Sequence, residues 1–321
     1  LIARYYPTGL VGLGITALNL IHVNAYMLLL GPALVLAGIL AVRTQRNGTD
    51  MADGISAPLS KPTSLLVQAV FWLLLAWAAL IAHGAATERP LAFFIVVAVA
   101  WALLAIRTME EPKSTTIASI LFSAIVLTLV VRGSVFFLTP GFPGSDAWAH
   151  DQLTQALLTG GHIPTEWNSP YYLHYPAMHL TVAATALITG TSIKTALFAG
   201  IGIPLALSAV AVYVFARHFV GSRLALLATL LALSSSYHLQ WGTQIIPTSL
   251  GLALFTLSLM LCLKLKPPGK AEMLLLLLAA TVVVLSHTVS SFILWTTLLV
   301  LMATSVQLRT VFRNGVFPYA I

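Results

Sequence analysis

Asp146, His150 and Asp151 lie in the segment Gly141-Phe142-Pro143-Gly144-Ser145-Asp146-Ala147-Trp148-Ala149-His150-Asp151, which begins the one long polar interruption in a chain otherwise made of apolar runs. Pro140, Gly141, Pro143 and Gly144 stop the preceding helix, and Ser145 is an N-cap by type. Asp146 then falls in the first turn of a new helix, where open backbone N–H groups attract negative charge. His150 follows four residues on, so carboxylate and imidazole share one face. Ala149, Leu153, Ala156 and Leu157 give this helix an apolar side, with Asp146 and His150 expected at its edge. The chemistry such a set can do is general-base catalysis: Asp146 takes a proton, His150 orients it or shares that proton, and Asp151 is the reserve base.

Cations that could meet the negative charge of a leaving group are few on the same side. Arg132 sits inside the apolar run 115 to 138, about one and a half turns from its end. An ionisable residue at that depth binds a partner or snorkels to the headgroups. The partner is an anionic lipid phosphate or pyrophosphate, with Asp146 as the structural alternative. Lys194 is the second cation. In the stretch Trp167-Asn168-Ser169-Pro170-Tyr171-Tyr172-Leu173-His174-Tyr175-Pro176, aromatic rings either anchor at a bilayer interface or stack against sugar faces. Glu166, Tyr172, His174 and Tyr175 there, with His238, Gln244 and His287 in two later outer turns, form the candidate substrate-binding set. No H-E-x-x-H or similar spacing occurs, so zinc is not indicated.

The elements that must position these residues are membrane helices. Of 321 residues, 59% are hydrophobic and 8% charged, against roughly a quarter charged in soluble domains. The net charge of +7 comes from basic residues scattered between apolar runs, the pattern of membrane orientation and not of a nucleic-acid patch. Cys262 is the single cysteine, so no intrachain disulfide can form.

Apolar runs occupy 8–22, 25–43, 64–84, 90–107, 115–138, 177–191, 193–216, 222–238, 247–265, 271–286 and 289–306. The run 177–191 is too short for a span of about 20 residues, and treating it as an outer interfacial helix leaves about ten spans. Basic residues then divide 13 to 3, with Arg89, Arg132 and Lys194 alone outside, as orientation by basic loops demands. The reading is an all-α polytopic protein in the plasma membrane of a prokaryote, with residues 139–192 as a helical first external loop on the active, outer face. Residues 1–114 form an N-terminal four-helix membrane region, 115–306 a second module, and 307–321 a cytoplasmic tail expected to continue in a longer chain.

Asp146-Ala147-Trp148-Ala149-His150 resembles the D-P-Y-Y-H type motif in the first external loop of oligosaccharyltransferase catalytic subunits. The likeness continues through Gly160-Gly161, the stretch opening at Tyr175-Pro176, a span bearing Pro204, and the polar loop from Trp241 to Pro247. It covers roughly residues 115–306 and is similar also to protein O-mannosyltransferases, so the chain resembles the GT-C class of membrane glycosyltransferases. The resemblance implies a sugar donor linked to polyprenyl phosphate, an acceptor that is glycan, lipid or protein, and inverting transfer. It places Asp146 as metal ligand, Mg or Mn, or as general base. Gln244 stands in a loop where the family carries a second acidic motif, and no acid is present here. The competing reading is a transporter or flippase of lipid-linked saccharides or small molecules.

Overall fold

The computed structural model describes residues 61–85, 88–108, 110–166, 170–262 and 269–313. The runs 8–22 and 25–43 of the expected N-terminal region lie outside the described residues, as do residues 314–321 of the tail. All regular structure among the described residues is helical: α1 (Lys61–Gly84), α2 (Leu91–Arg107), α3 (Ser114–Leu138), α4 (Ser145–Gly160), a short 3-10 turn (Pro170–His174), α5 (Ala177–Thr189), α6 (Ile193–Phe219), α7 (Ser222–Ser234), α8 (Ser236–Gln244), α9 (Pro247–Cys262), α10 (Lys270–Ser286) and α11 (Thr288–Arg313). Residues Ala57–Phe292 form one compact unit. The remainder of α11 belongs to a second unit and is an uninterrupted helix.

Among the described residues three helices are long and apolar enough to cross a membrane: Pro62–Gly84, Ser114–Leu138 and Ile193–Phe219. Their outward side chains are large and apolar, such as Leu73, Trp77, Leu80, Phe122, Leu207 and Val210. In water such patches would drive association, whereas in lipid they match the solvent. Helix association in lipid relies on close packing, which small residues permit. Ala100, Ala124, Ala206 and Ala209 accordingly sit in one cluster with Phe71, Leu104, Leu127 and Leu233. A π-turn over Phe198–Gly202 interrupts α6 just before Pro204, because proline lacks the N–H that a regular turn would use.

Both ends of α5 stay at the end of the bundle where α3 stops. His179 in its first turn is hydrogen-bonded to His150 of α4. Lys194, just beyond its last turn, donates to the carbonyl of Thr139, the residue closing α3. The opposite end is marked by Glu110, whose carboxylate pairs with Arg107 and whose carbonyl accepts from Arg223. α3 and α6 connect these two ends, and α5 does not.

Two local expectations are corrected. The run 222–238 is not one helix: α7 ends at Ser234, and Ser235, extended at ψ 142°, caps the separate α8 by accepting from the His238 N–H. The polar stretch around Trp241 is therefore helical rather than a loop. Ser145 is not the N-cap of α4 but its first residue; Gly144 holds the cap position.

Candidate functional site

α4 is set on the bundle by the loop before it. Phe142 meets Trp148 edge-on with ring centroids 5.4 Å apart and Phe136 at 6.5 Å. A Cβ on Gly141 would overlap the Trp148 ring. Gly144 lies at φ 89°, ψ 154°, a region open to glycine almost alone. A Cβ there would touch the Gln244 side chain at 3.4 Å. The turn that starts the acid-bearing helix thus rests on the last residue of α8.

Asp146 is exposed and makes no ion pair among the described residues. Its charge reaches Tyr172, whose phenol is held above its ordinary range first by burial and then by Asp146. The expected edge position of His150 is corrected. The buried face of α4 is Ala147, His150, Leu153, Thr154 and Leu157, and His150, 1% exposed, lies at its centre. Its Nδ1 is 3.0 Å from Nε2 of His179 on α5, and Tyr172 packs edge-on against its ring at 4.7 Å. His150 therefore joins α4 to α5 and makes no hydrogen bond to Asp146. Burial, with a smaller contribution from His287, lowers its pKa to about 4, so the ring is neutral. Asp151 is half-buried, and burial raises its carboxyl above the usual range.

Arg132 is the largest fully buried side chain among the described residues, at 0% exposure. It does not snorkel, and it has no pairing with Asp146. Its Nη2 donates to Nδ1 of His238 and, at 3.3 Å, to the His238 carbonyl. A guanidinium only donates, so Nδ1 must accept and the neutral His238 ring carries its proton on Nε2. Arg132 Nε and Nη1 and His238 Nε2 are buried without an acceptor among the described residues, while the Trp241 indole has a side-chain hydrogen bond with Tyr237. Buried polar groups of native proteins are nearly always paired, and these three are donors on the guanidinium and on the ring bonded to it. A Cβ on Gly242 would overlap the guanidinium.

The structure thus brings the predicted residues into two groups. Gln244, His238 and Arg132 are connected through α8, with Gly144, two residues before Asp146, resting on Gln244 and Arg132 on Gly242, while the charge of Asp146 itself reaches Tyr172 of the second group. His150, Tyr172 and His287 belong to the contact of α4, the 3-10 turn and the start of α11. There the Tyr171 hydroxyl bonds that of Thr288, and the Tyr171 and Tyr175 rings lie 5.0 Å apart. Lys194 does not share the Arg132 site: its ammonium donates to the Thr139 carbonyl at 2.5 Å and stands 5.6 Å from the Phe136 ring centroid. Glu166 and His174 are exposed, and Trp167, Asn168 and Ser169 lie outside the described residues. Sequence reasoning missed His179 and Gly242. The signals were a lone imidazole in an apolar run and a glycine inside a polar helical stretch.

Among the described residues no three His, Cys, Asp or Glu side chains converge as a metal site. The expected Mg or Mn ligation by Asp146 therefore has no companion ligands among them.

Fold and site together define a class, a helical protein with, among the described residues, three helices able to span a membrane and a polar, partly buried site at one end of them. No family model, curated protein or solved structure matches the chain.

Proposed function

We propose that this protein is a membrane glycosyltransferase of the GT-C class, moving a sugar from a polyprenyl-phosphate donor to a hydroxyl acceptor on the outer face of a prokaryotic plasma membrane, with about ten spans in all. The observation that carries the reading is the arrangement about α8: an exposed carboxylate, Asp146, with no ion pair among the described residues, on one side, and a buried guanidinium, Arg132, whose Nε and Nη1 have no hydrogen-bond partner among them, on the other. The return of α5 to its starting end supports its place outside the set of spans.

In this mechanism the Asp146 carboxylate takes the proton of the acceptor hydroxyl as its oxygen attacks the anomeric carbon. The new C–O bond forms as the bond from that carbon to the phosphate oxygen breaks, and the phosphate leaves with the electron pair, inverting the centre. Arg132 meets the departing charge with donors already in place, so no reorganisation is needed at that moment. His150, being neutral and bound to His179, positions α4 and does not relay the proton. Gln244 holds the turn before Asp146, and the exposed Tyr171, with Tyr175 beside it, offers ring faces to a sugar.

Membranes containing the full chain and a radiolabelled polyprenyl-phosphate sugar test this. Transfer of label to lipid, glycan or protein is expected, and Asp146→Asn should lower it by about 10²–10⁴ with expression unchanged. Full activity in that variant would move the base to Asp151 or Glu166. No transfer by the wild-type chain from any of a panel of such donors would refute the enzyme reading.

A further inference from the structure

Lys194 stands at the wrong end of its own helix. It lies in the first turn of α6, where Ser192 caps the chain by accepting from the Thr195 N–H, and the open backbone N–H groups of a helix start disfavour a cation. Its ammonium reaches instead the end of α3, where the unmatched carbonyls favour one. There it donates to the Thr139 carbonyl at 2.5 Å and lies 5.6 Å from the centroid of the Phe136 ring. A hydrogen bond from a charged donor is stronger than one between neutral groups. What it holds is a loop with little else to hold it. Pro140 and Pro143 have no N–H, and among the described residues no backbone N–H in 140–144 donates to another backbone group. The loop is seated by rings: Phe136, beneath the ammonium, meets Phe142, and Phe142 meets Trp148 of α4, two residues beyond Asp146.

We infer that Lys194 is a positioning residue: by closing α3 it fixes the loop 140–144, and through Phe142 and Trp148 it fixes the first turn of α4 with the Asp146 carboxylate, while binding no part of the donor. In this role it differs from the phosphate-binding cation expected from the sequence. The effect on rate rests on the transferase reading, but the clamp itself is a property of the folded chain. It needs a positive charge at the reach of a long stem, so arginine should serve in its place and methionine should not.

The test uses the full chain in lipid nanodiscs. Amide hydrogen exchange is followed at Ala149, His150 and Asp151, the first amides of α4 whose acceptors lie within the helix, with Leu157 to Gly160 at its far end as the control. Lys194→Met should speed exchange at the first group by about tenfold, the effect of losing one hydrogen bond to a charged group, and leave the control unchanged. Lys194→Arg should keep the wild-type rate. With a polyprenyl-phosphate sugar as donor, Lys194→Met should lower kcat at an unchanged donor KM, and Lys194→Arg should retain activity. Wild-type exchange in Lys194→Met, or a raised donor KM with kcat retained, overturns the proposal. Should Lys194→Met fail to fold, Phe142→Leu cuts the same path between Phe136 and Trp148, and unaltered exchange at Ala149 to Asp151 in that variant overturns it alone. Exchange that responds as expected in a chain that transfers no sugar leaves the clamp standing and sinks the transferase reading.

Discussion

Arg132 and Gly242 share one space: the guanidinium of the first lies where a Cβ on the second would have to be. Gly242→Ala must therefore push α8 away from α3 or turn the arginine. Overpacking of this kind costs about 1–3 kcal/mol. The variant should unfold at lower temperature in detergent, and the loss should shrink in an Arg132→Met background, where the guanidinium is gone. Equal losses in both backgrounds would mean that the two residues do not compete.

Gly144→Ala tests the seat of α4. At φ 89° and ψ 154° an alanine is strained by about 1–3 kcal/mol, although its methyl would meet the Gln244 side chain only at ordinary contact distance, 3.4 Å. Transfer should fall while secondary structure by circular dichroism is unchanged, because the substitution moves the first turn of α4, and Asp146 with it. Unaltered activity would show that the placement of that turn is not critical.

Acid should loosen the α4–α5 contact. The pKa of His150 in the folded chain is about 4, against 6.5 for the free side chain. The unfolded chain therefore binds this proton first as pH falls. The contribution of the buried imidazole is complete above about 6.5 and is lost progressively towards 4. Melting curves between pH 7 and pH 4.5 should show this fall in the wild type and a flatter course in His150→Gln. Parallel curves for the two proteins would assign the acid sensitivity elsewhere.

The opposite end of the bundle predicts a change in stability without a direct effect on the site. Arg107 and Glu110 pair at 2.9 Å with side chains 3% and 9% exposed, and Arg107 also donates to Ser119, which accepts from Gln68 as well. Arg107→Gln leaves a buried carboxylate without its cation, at a cost of about 3–5 kcal/mol. Thermal unfolding in detergent should show the loss, while activity per folded molecule is retained. A melting temperature within error of the wild type would mean that water reaches Glu110.

Helix limits were legible where polar residues or proline stand at both ends of an apolar run. The runs 115–138 and 271–286 became Ser114–Leu138 and Lys270–Ser286, because charges and prolines do not enter such runs freely. The break at Ser235 was not legible, since Tyr237 and His238 follow the apolar run without a proline or glycine. A serine that can either continue a helix or cap a new one is resolved only by its neighbours.

Composition and run length by themselves determined that the chain is helical and membrane-type, that residues 139–192 interrupt it, and that Asp146 begins a helix there. Which way each helix faces was left to the tertiary structure. In a helix surrounded by lipid the outward side is as apolar as the inward one, so a sequence pattern carries little record of rotation about the axis. That is why His150 could be placed on α4 but not on its buried face, and why Arg132 could be recognised as deep in α3 while its partners, His238 and Gly242 on α8, emerged only when the helices were packed together.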